Sequence, residues 1–110
     1  MRNTSDLVHE MLKEAEKAWL VAIAVGYRHE TKFVFSSRKD PLKELNQLVH
    51  NGGFPIGLLR FEKEKTAVQG SYRPFKEYEH EPWAGEYLDG LLENTEDIIA
   101  LSREQNLPDY

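Results

Sequence analysis

The sequence contains no cysteine. Disulfide frameworks, thiolate nucleophiles and cysteine-ligated zinc or iron–sulfur sites are therefore excluded. No apolar run approaches the roughly 20 residues of a membrane-spanning helix, and the N-terminal residues lead into an amphipathic segment, not the apolar core of a secretory signal. These absences predict a cytoplasmic protein with no membrane partner.

The composition is that of an ordinary folded domain. Of 110 residues, 40% are hydrophobic and 30% are charged, which is typical of soluble globular proteins and not of disordered chains. Splitting a chain of this length would leave two cores too small to be stable without metal or disulfides. The sequence therefore predicts one α+β domain over residues 1–110.

Charge is distributed unevenly along an acidic chain of net charge −5. Residues 1–76 carry 13 lysine and arginine residues against 9 acidic ones, whereas residues 77–110 carry 1 against 10. Nucleic-acid binding depends on lysine and arginine, so residues 77–110 do not suit a nucleic-acid partner. Binding of single-stranded nucleic acid remains an alternative for the more basic surface of residues 1–76. The basic candidates, several of them near aromatic residues, are Arg28, Lys32, Arg38, Lys39, Arg60, Arg73 and Lys76.

An uncharged stretch from Ala18 to Tyr27 predicts the central strand of a sheet. Alternate residues point to opposite faces of a strand, so Val21, Ile23 and Val25 make one bulky face, while the residues between them make a face that is nearly bare. A bare face admits close approach of a helix. We therefore expect helices on the side of Ala22 and Ala24.

The remaining elements follow from the periodicity of apolar residues and from turn residues. The first helix is predicted over residues 5–17, with Thr4 or Ser5 as its N-cap, and the second begins after Asp40-Pro41. The last helix is predicted from Trp83 onward. It is expected to be kinked or divided near Gly90 and residues 94–97, with Thr95 as a second cap. Strands are predicted over residues 18–27, 31–37, 54–61 and 66–72. The order α-β-β-α-β-β-α predicts a two-layer α+β sandwich with a four-stranded, mainly antiparallel sheet. Several two-layer folds share this order, and no motif distinguishes between them.

Between Tyr72 and Tyr87, large aromatic residues alternate with glutamates, and Pro74 and Pro82 bracket the middle of the stretch. Aromatic and arginine side chains are the usual anchors of protein interfaces, and functional residues concentrate on irregular segments held by a rigid scaffold. The alternative is that Phe75, Trp83 and Tyr87 simply cover one end of the core. The candidate binding residues are Arg73, Phe75, Tyr78, His80, Trp83 and Tyr87.

The preferred functional interpretation is a small protein-binding or adaptor module that is not an enzyme and that forms a homodimer. The partner would be another protein or a second copy, because a two-layer fold leaves one sheet face or edge to be covered.

The alternative is a small enzyme or ligand-binding domain for a small molecule, with a pocket between the sheet and the C-terminal helix and with His80 and Glu79 or Glu81 as acid–base groups. The four histidines lie on separate predicted elements, and the cluster around His80 is typical of a solvated loop, so no metal ion, cofactor or catalytic residue is predicted.

Overall fold

Helices and strands follow the predicted order in a computed structural model that describes residues 2–105. They are α1 (Thr4–Ala15), β1 (Leu20–Tyr27), β2 (Glu30–Phe35), α2 (Pro41–His50), β3 (Phe54–Glu64), β4 (Ala67–Pro74), α3 (Pro82–Leu91) and α4 (Thr95–Gln105). Two short 3-10 turns, Lys76–Tyr78 and Leu92–Asn94, precede and follow α3. No helix of the described part of the chain is long and apolar enough to cross a membrane.

The four strands form a single sheet in the order β2-β1-β3-β4, and every neighbouring pair is antiparallel. β1 therefore lies in the interior, paired with β2 on one side and β3 on the other, as its uncharged sequence predicts. Its first seven residues are all buried. The two edges of the sheet are β2 and β4.

Helices cover both faces of the sheet. α1 and α2 pack on the face formed by Val21, Ile23 and Val25 of β1, and α3 and α4 pack on the opposite face, over Ala22 and Ala24. The α+β class, the element order and the antiparallel sheet are confirmed, and so are the helices on the Ala22 side. The sheet nevertheless lies between two helical layers, not against one, because β1 is apolar on both of its faces.

A glycine lets α3 approach the sheet closely. The pairing of β1 with β3 shifts by one residue between Ala24 and Val25, which leaves Ile56 as the extra residue of a β-bulge. Next to it, an ideal Cβ at Gly57 would lie 2.5 Å from the carbonyl oxygen of Arg73 and 2.7 Å from a methyl group of Leu88. The absence of a side chain at Gly57 therefore sets how deeply α3 lies on the sheet.

The start of α1 differs in detail from the prediction, whereas the start of α2 agrees with it. The cap of α1 is Asn3, whose side chain accepts a hydrogen bond from the Asp6 amide at 2.9 Å, so the helix begins at the residue that had been expected to cap it. The cap of α2 is Asp40, as predicted, and accepts from the Lys43 amide at 3.1 Å. An asparagine and an aspartate serve equally well here because each offers an oxygen to an unpaired first-turn amide.

The last helix is divided, as the sequence predicted. The 3-10 turn Leu92–Asn94 separates α3 from α4. The hydroxyl of Thr95 donates to the carbonyl oxygen of Leu92 at 2.5 Å and does not accept from an amide as a cap would. On either side of the break, Leu88 on α3 and Ile98 on α4 belong to the same hydrophobic cluster.

Candidate functional site

Two large aromatic side chains stand on the outer side of α3. Trp83 is 43% exposed and Tyr87 is 37% exposed. They are four residues apart and therefore neighbours on one helix face. The residues that follow each of them, Ala84 and Leu88, are fully buried against the sheet, which leaves Trp83 and Tyr87 along the flank of the helix.

Tyr78, in the 3-10 turn before α3, holds the indole of Trp83 in place. The two rings meet edge to face, with centroids 5.4 Å apart and an interplanar angle of 69°. Tyr78 is itself partly buried and packs against the α3-side core. Aromatic pairs of this geometry contribute about 0.5–1.5 kcal/mol of stability beyond that of area burial. Contact with the Tyr78 ring therefore helps to fix the position of the exposed indole.

Phe54, the first residue of β3, extends this surface across the end of the sheet. Tyr87 shares a hydrogen bond with the hydroxyl of Thr31 on β2, and Thr31 pairs with Gly26 of β1. On its other side Gly26 pairs with Phe54. An atom of the Phe54 ring lies 2.5 Å from the position that an ideal Cβ of Gly26 would occupy, so the ring packs directly against the glycine. Phe54 is 43% exposed. We call Phe54, Tyr78, Trp83 and Tyr87 the aromatic surface.

Carboxylates surround the N-terminal end of α3. Glu79, Glu81 and Glu86 are all exposed and lie within a few residues of Trp83 along the chain. The side chain of His80 is 90% exposed, and its Nε2 lies 3.5 Å from an oxygen of Glu79, a contact that is an ion pair only when the imidazole is protonated. The border of the aromatic surface on this side is therefore acidic.

The structure separates the six predicted binding residues into two groups. Tyr78, Trp83 and Tyr87 lie together on the aromatic surface, and His80 lies on the acidic border beside them. Phe75 is fully buried and belongs to the opposite cluster, beneath α1 and α2, so its placement on a binding surface is corrected. The reason is that its amide donates to the Ile56 carbonyl at 2.9 Å, which continues the β4 register and directs the side chain to the α1 face.

Arg73, the sixth residue, also lies on the α1 face and takes part in a chain of alternating charges. Its guanidinium pairs with Glu10 and, at 3.8 Å, with Glu14. The chain runs in the order Glu77, Arg2, Glu10, Arg73, Glu14, Arg60 and Glu62. Arg73 is thus neutralised within the protein and ties β4 to α1, away from the aromatic surface.

Glu10 has the central position in this chain of charges. Partial burial of the carboxyl opposes its ionisation, but hydrogen bonds from Arg73 and Arg2 outweigh that effect and lower the pKa of Glu10. On the other side of Glu10, the Arg2 guanidinium also lies 5.6 Å from the centre of the Phe75 ring. The side chains that hold α1 to the sheet are therefore charged as well as apolar.

Carboxylates within the same chain pair with most of the basic residues considered for nucleic-acid binding. In addition to Arg60 and Arg73, Arg38 pairs with Glu44 at 2.6 Å and Lys32 with Glu30 at 3.1 Å. Arg28 lies over the ring of Tyr27. Since phosphate contacts need basic side chains that are free to displace counterions, this arrangement gives little support to the nucleic-acid alternative.

A cavity of about 280 Å³ lies between the sheet and the C-terminal helices, where the ligand-binding alternative expected one. It is lined by Thr31, Phe33, Leu91, Asn94, Asp97, Ile98 and Leu101. His80 does not line it, and among the described residues Asp97 is the only lining residue with an ionisable carboxyl group. Within residues 2–105, histidines and carboxylates nowhere form a group of three or more that could hold a metal ion. The cavity offers an apolar recess without an acid–base pair.

Sequence reasoning missed three exposed aromatic residues, Trp19, Phe54 and Tyr72, the last of them 40% exposed on β4. All three were assigned to strands, where large aromatics normally pack. The signal for Phe54 was its position directly after Asn51-Gly52-Gly53, which places it at the very end of the sheet. For Tyr72 the signal was the polar sequence Gln69-Gly70-Ser71 before it, which is typical of an edge strand.

Comparison with known proteins gives no match for this chain: no protein-family model, no curated protein and no solved structure corresponds to it.

Proposed function

We propose that this protein is a protein-binding module that holds an apolar and basic segment of its partner against the aromatic surface. The observation that carries the proposal is the group of three large side chains, Phe54, Trp83 and Tyr87, that remain 37–43% exposed on regular elements of the fold. Clustered exposed apolar side chains mark interaction sites more often than isolated ones do.

The rigidity of the surface also favours binding. Trp83 is held by Tyr78, Tyr87 by Thr31, and Phe54 by the backbone of Gly26. A preorganised surface loses little conformational entropy when a partner binds. Exposed tryptophan and tyrosine side chains fixed in this way are the residues on which interface energy concentrates.

The chemistry of the partner follows from the charge around the surface. The segment that carries Tyr78, Trp83 and Tyr87 belongs to residues 77–110, which hold 10 acidic residues against 1 basic residue. Complementary charge steers association and excludes wrong partners. A partner with lysine or arginine beside its apolar anchors therefore fits the surface, and its association weakens as salt screens the charges.

The experiment uses the two tryptophans of the chain as a matched pair, because Trp19 and Trp83 are both 43% exposed. Trp19 lies elsewhere, just before β1 and 5.4 Å from the Lys63 ammonium group. Wild type, Trp83→Ala and Trp19→Ala are immobilised in equal amounts and exposed to an extract of the source cells. Retained proteins are then quantified by mass spectrometry.

We expect a protein that wild type and Trp19→Ala retain equally and that Trp83→Ala loses. Truncating an interface hot spot costs about 2 kcal/mol or more, so the purified partner should bind Trp83→Ala about 30-fold more weakly or worse. Equal retention by all three forms, or loss with Trp19→Ala alone, would show that the aromatic surface is not the binding site.

A further inference from the structure

The edge strand β4 presents a row of backbone hydrogen-bonding groups on the side away from β3. The Phe75 amide donates to Ile56, and antiparallel pairing alternates between bonded and non-bonded positions. In the observed register, Arg73, Ser71 and Gln69 therefore turn their backbone groups toward β3. The backbone groups of the alternate residues, Val68, Gly70 and Tyr72, face away from the sheet.

No other strand of the described residues lies beside β4 on that side. Six of the eight residues of β4 are exposed, and no charged side chain interrupts residues 67–72. Natural proteins usually protect such an edge with lysine, proline or a bulge, and the other edge strand, β2, carries Glu30 and Lys32. On β4 the first charge is Arg73 and the first proline is Pro74, both at its end. The unprotected stretch is therefore long enough to pair with another strand.

We propose that β4 pairs with β4 of a second copy of this chain, antiparallel and about a two-fold axis at Gly70, so that two four-stranded sheets join into one. The surface used is distinct from the aromatic surface, and the proposal does not rest on the proposed function.

The outward backbone groups select this register. With Gly70 opposite its own copy and Val68 opposite Tyr72, each of the three outward residues meets an outward residue, and six hydrogen bonds form across the axis. A shift toward the end of the strand places Val68 opposite Pro74, which has no amide hydrogen. A shift the other way places Tyr72 opposite Thr66, which lies in the turn before β4.

The side chains are self-complementary in the same register. Val68 packs on the α3-side core, and Tyr72 lies on that same face, its hydroxyl 3.7 Å from an ideal Cβ of Gly85. Across the axis each Val68 meets a Tyr72, a β-branched and aromatic pair of the kind that stabilises sheets. On the opposite face Gln69 meets Ser71, and these polar side chains can hydrogen-bond to each other. A partner with the sequence of β4 itself fits the edge on both faces.

Cross-linking tests the register directly, because the chain has no cysteine to give a background. Gln69→Cys and Ser71→Cys are prepared as separate proteins. Residues 69 and 71 of the two copies form a non-hydrogen-bonded pair with Cα atoms about 4.5 Å apart, within the range of a disulfide. Residues with the same number lie on a diagonal, roughly 7–8 Å apart, beyond the range of an unstrained disulfide.

Mixing the two variants under mild oxidation is expected to give a covalent heterodimer, whereas each variant alone stays largely monomeric on a non-reducing gel.

Sedimentation equilibrium of the wild type should give twice the 12.8 kDa chain mass, and Trp83→Ala should give the same value. Val68→Pro removes one outward amide without removing a hydrogen bond to β3, so the sedimentation mass of this variant should be that of the monomer, 12.8 kDa. A monomeric wild type, no disulfide on mixing, or equal cross-linking by one variant alone would overturn the proposal.

Discussion

Phe75→Ala should destabilise the protein far more than truncation of the larger Trp83. Phe75 has no solvent exposure and lies in the cluster beneath α1 and α2, together with Met11 and Leu45. Replacing a buried phenylalanine by alanine costs about 3–5 kcal/mol, because the apolar contacts are lost and a cavity remains. A domain of this size has a free energy of unfolding of roughly 5–15 kcal/mol, so the substitution removes a large part of it.

The assay is urea denaturation at neutral pH, followed by far-ultraviolet circular dichroism, with Trp83→Ala as the control. Trp83 is 43% exposed and loses mainly its contact with Tyr78, so its truncation should cost about 1–2 kcal/mol, within the ordinary range for partly exposed sites. If Phe75→Ala stays within about 1 kcal/mol of wild type, or if Trp83→Ala is the more destabilised variant, then the assignment of Phe75 to the core and Trp83 to the surface is refuted.

Two further substitutions test the centre of the sheet and the chain of charges. Ala24→Glu places a carboxylate at a position with no exposure, so the protein should fail to fold, and a wild-type melting temperature would contradict the interior position of β1. Glu10→Gln should lower the free energy of unfolding at neutral pH. Folding lowers the pKa of Glu10, so the stabilisation from its ionised carboxylate is complete above the unfolded pKa of about 4.3 and is lost as pH falls through the folded pKa. The difference in urea midpoint between wild type and Glu10→Gln should therefore shrink toward pH 3, and a constant difference would contradict the ion-pair assignment.

The sequence was sufficient to predict the helices and strands but not the number of helical layers that pack on the sheet. Period-2 and period-3.6 patterns locate the strands and helices because each element buries one side. Which face of the sheet each helix covers depends on the connections between elements, and these have no local signal. The apolar residues on both faces of β1 were the available indication that two helical layers were needed.

The candidate site was predicted in part, for a similar reason. Tyr78, Trp83 and Tyr87 share one surface because α3 begins at Pro82 and presents one face to solvent. Phe75 and Arg73 are close to them in sequence but belong to the other side of the sheet, since the strand register extends one residue beyond Pro74. Phe54 joins the surface only through the pairing of β3 with Gly26, which is a long-range contact that no sequence pattern reveals.

The binding role of the aromatic surface is tested most directly by the fluorescence of its own tryptophan. The chain has two tryptophans, so Trp19→Phe leaves Trp83 as the only indole, and Trp83→Phe leaves Trp19. Titration with the captured partner should shift the emission of the Trp19→Phe protein to shorter wavelength as the Trp83 ring loses contact with water, and should leave the emission of the Trp83→Phe protein unchanged. A shift confined to the Trp83→Phe protein, or saturable binding with no shift from Trp83, would contradict the account.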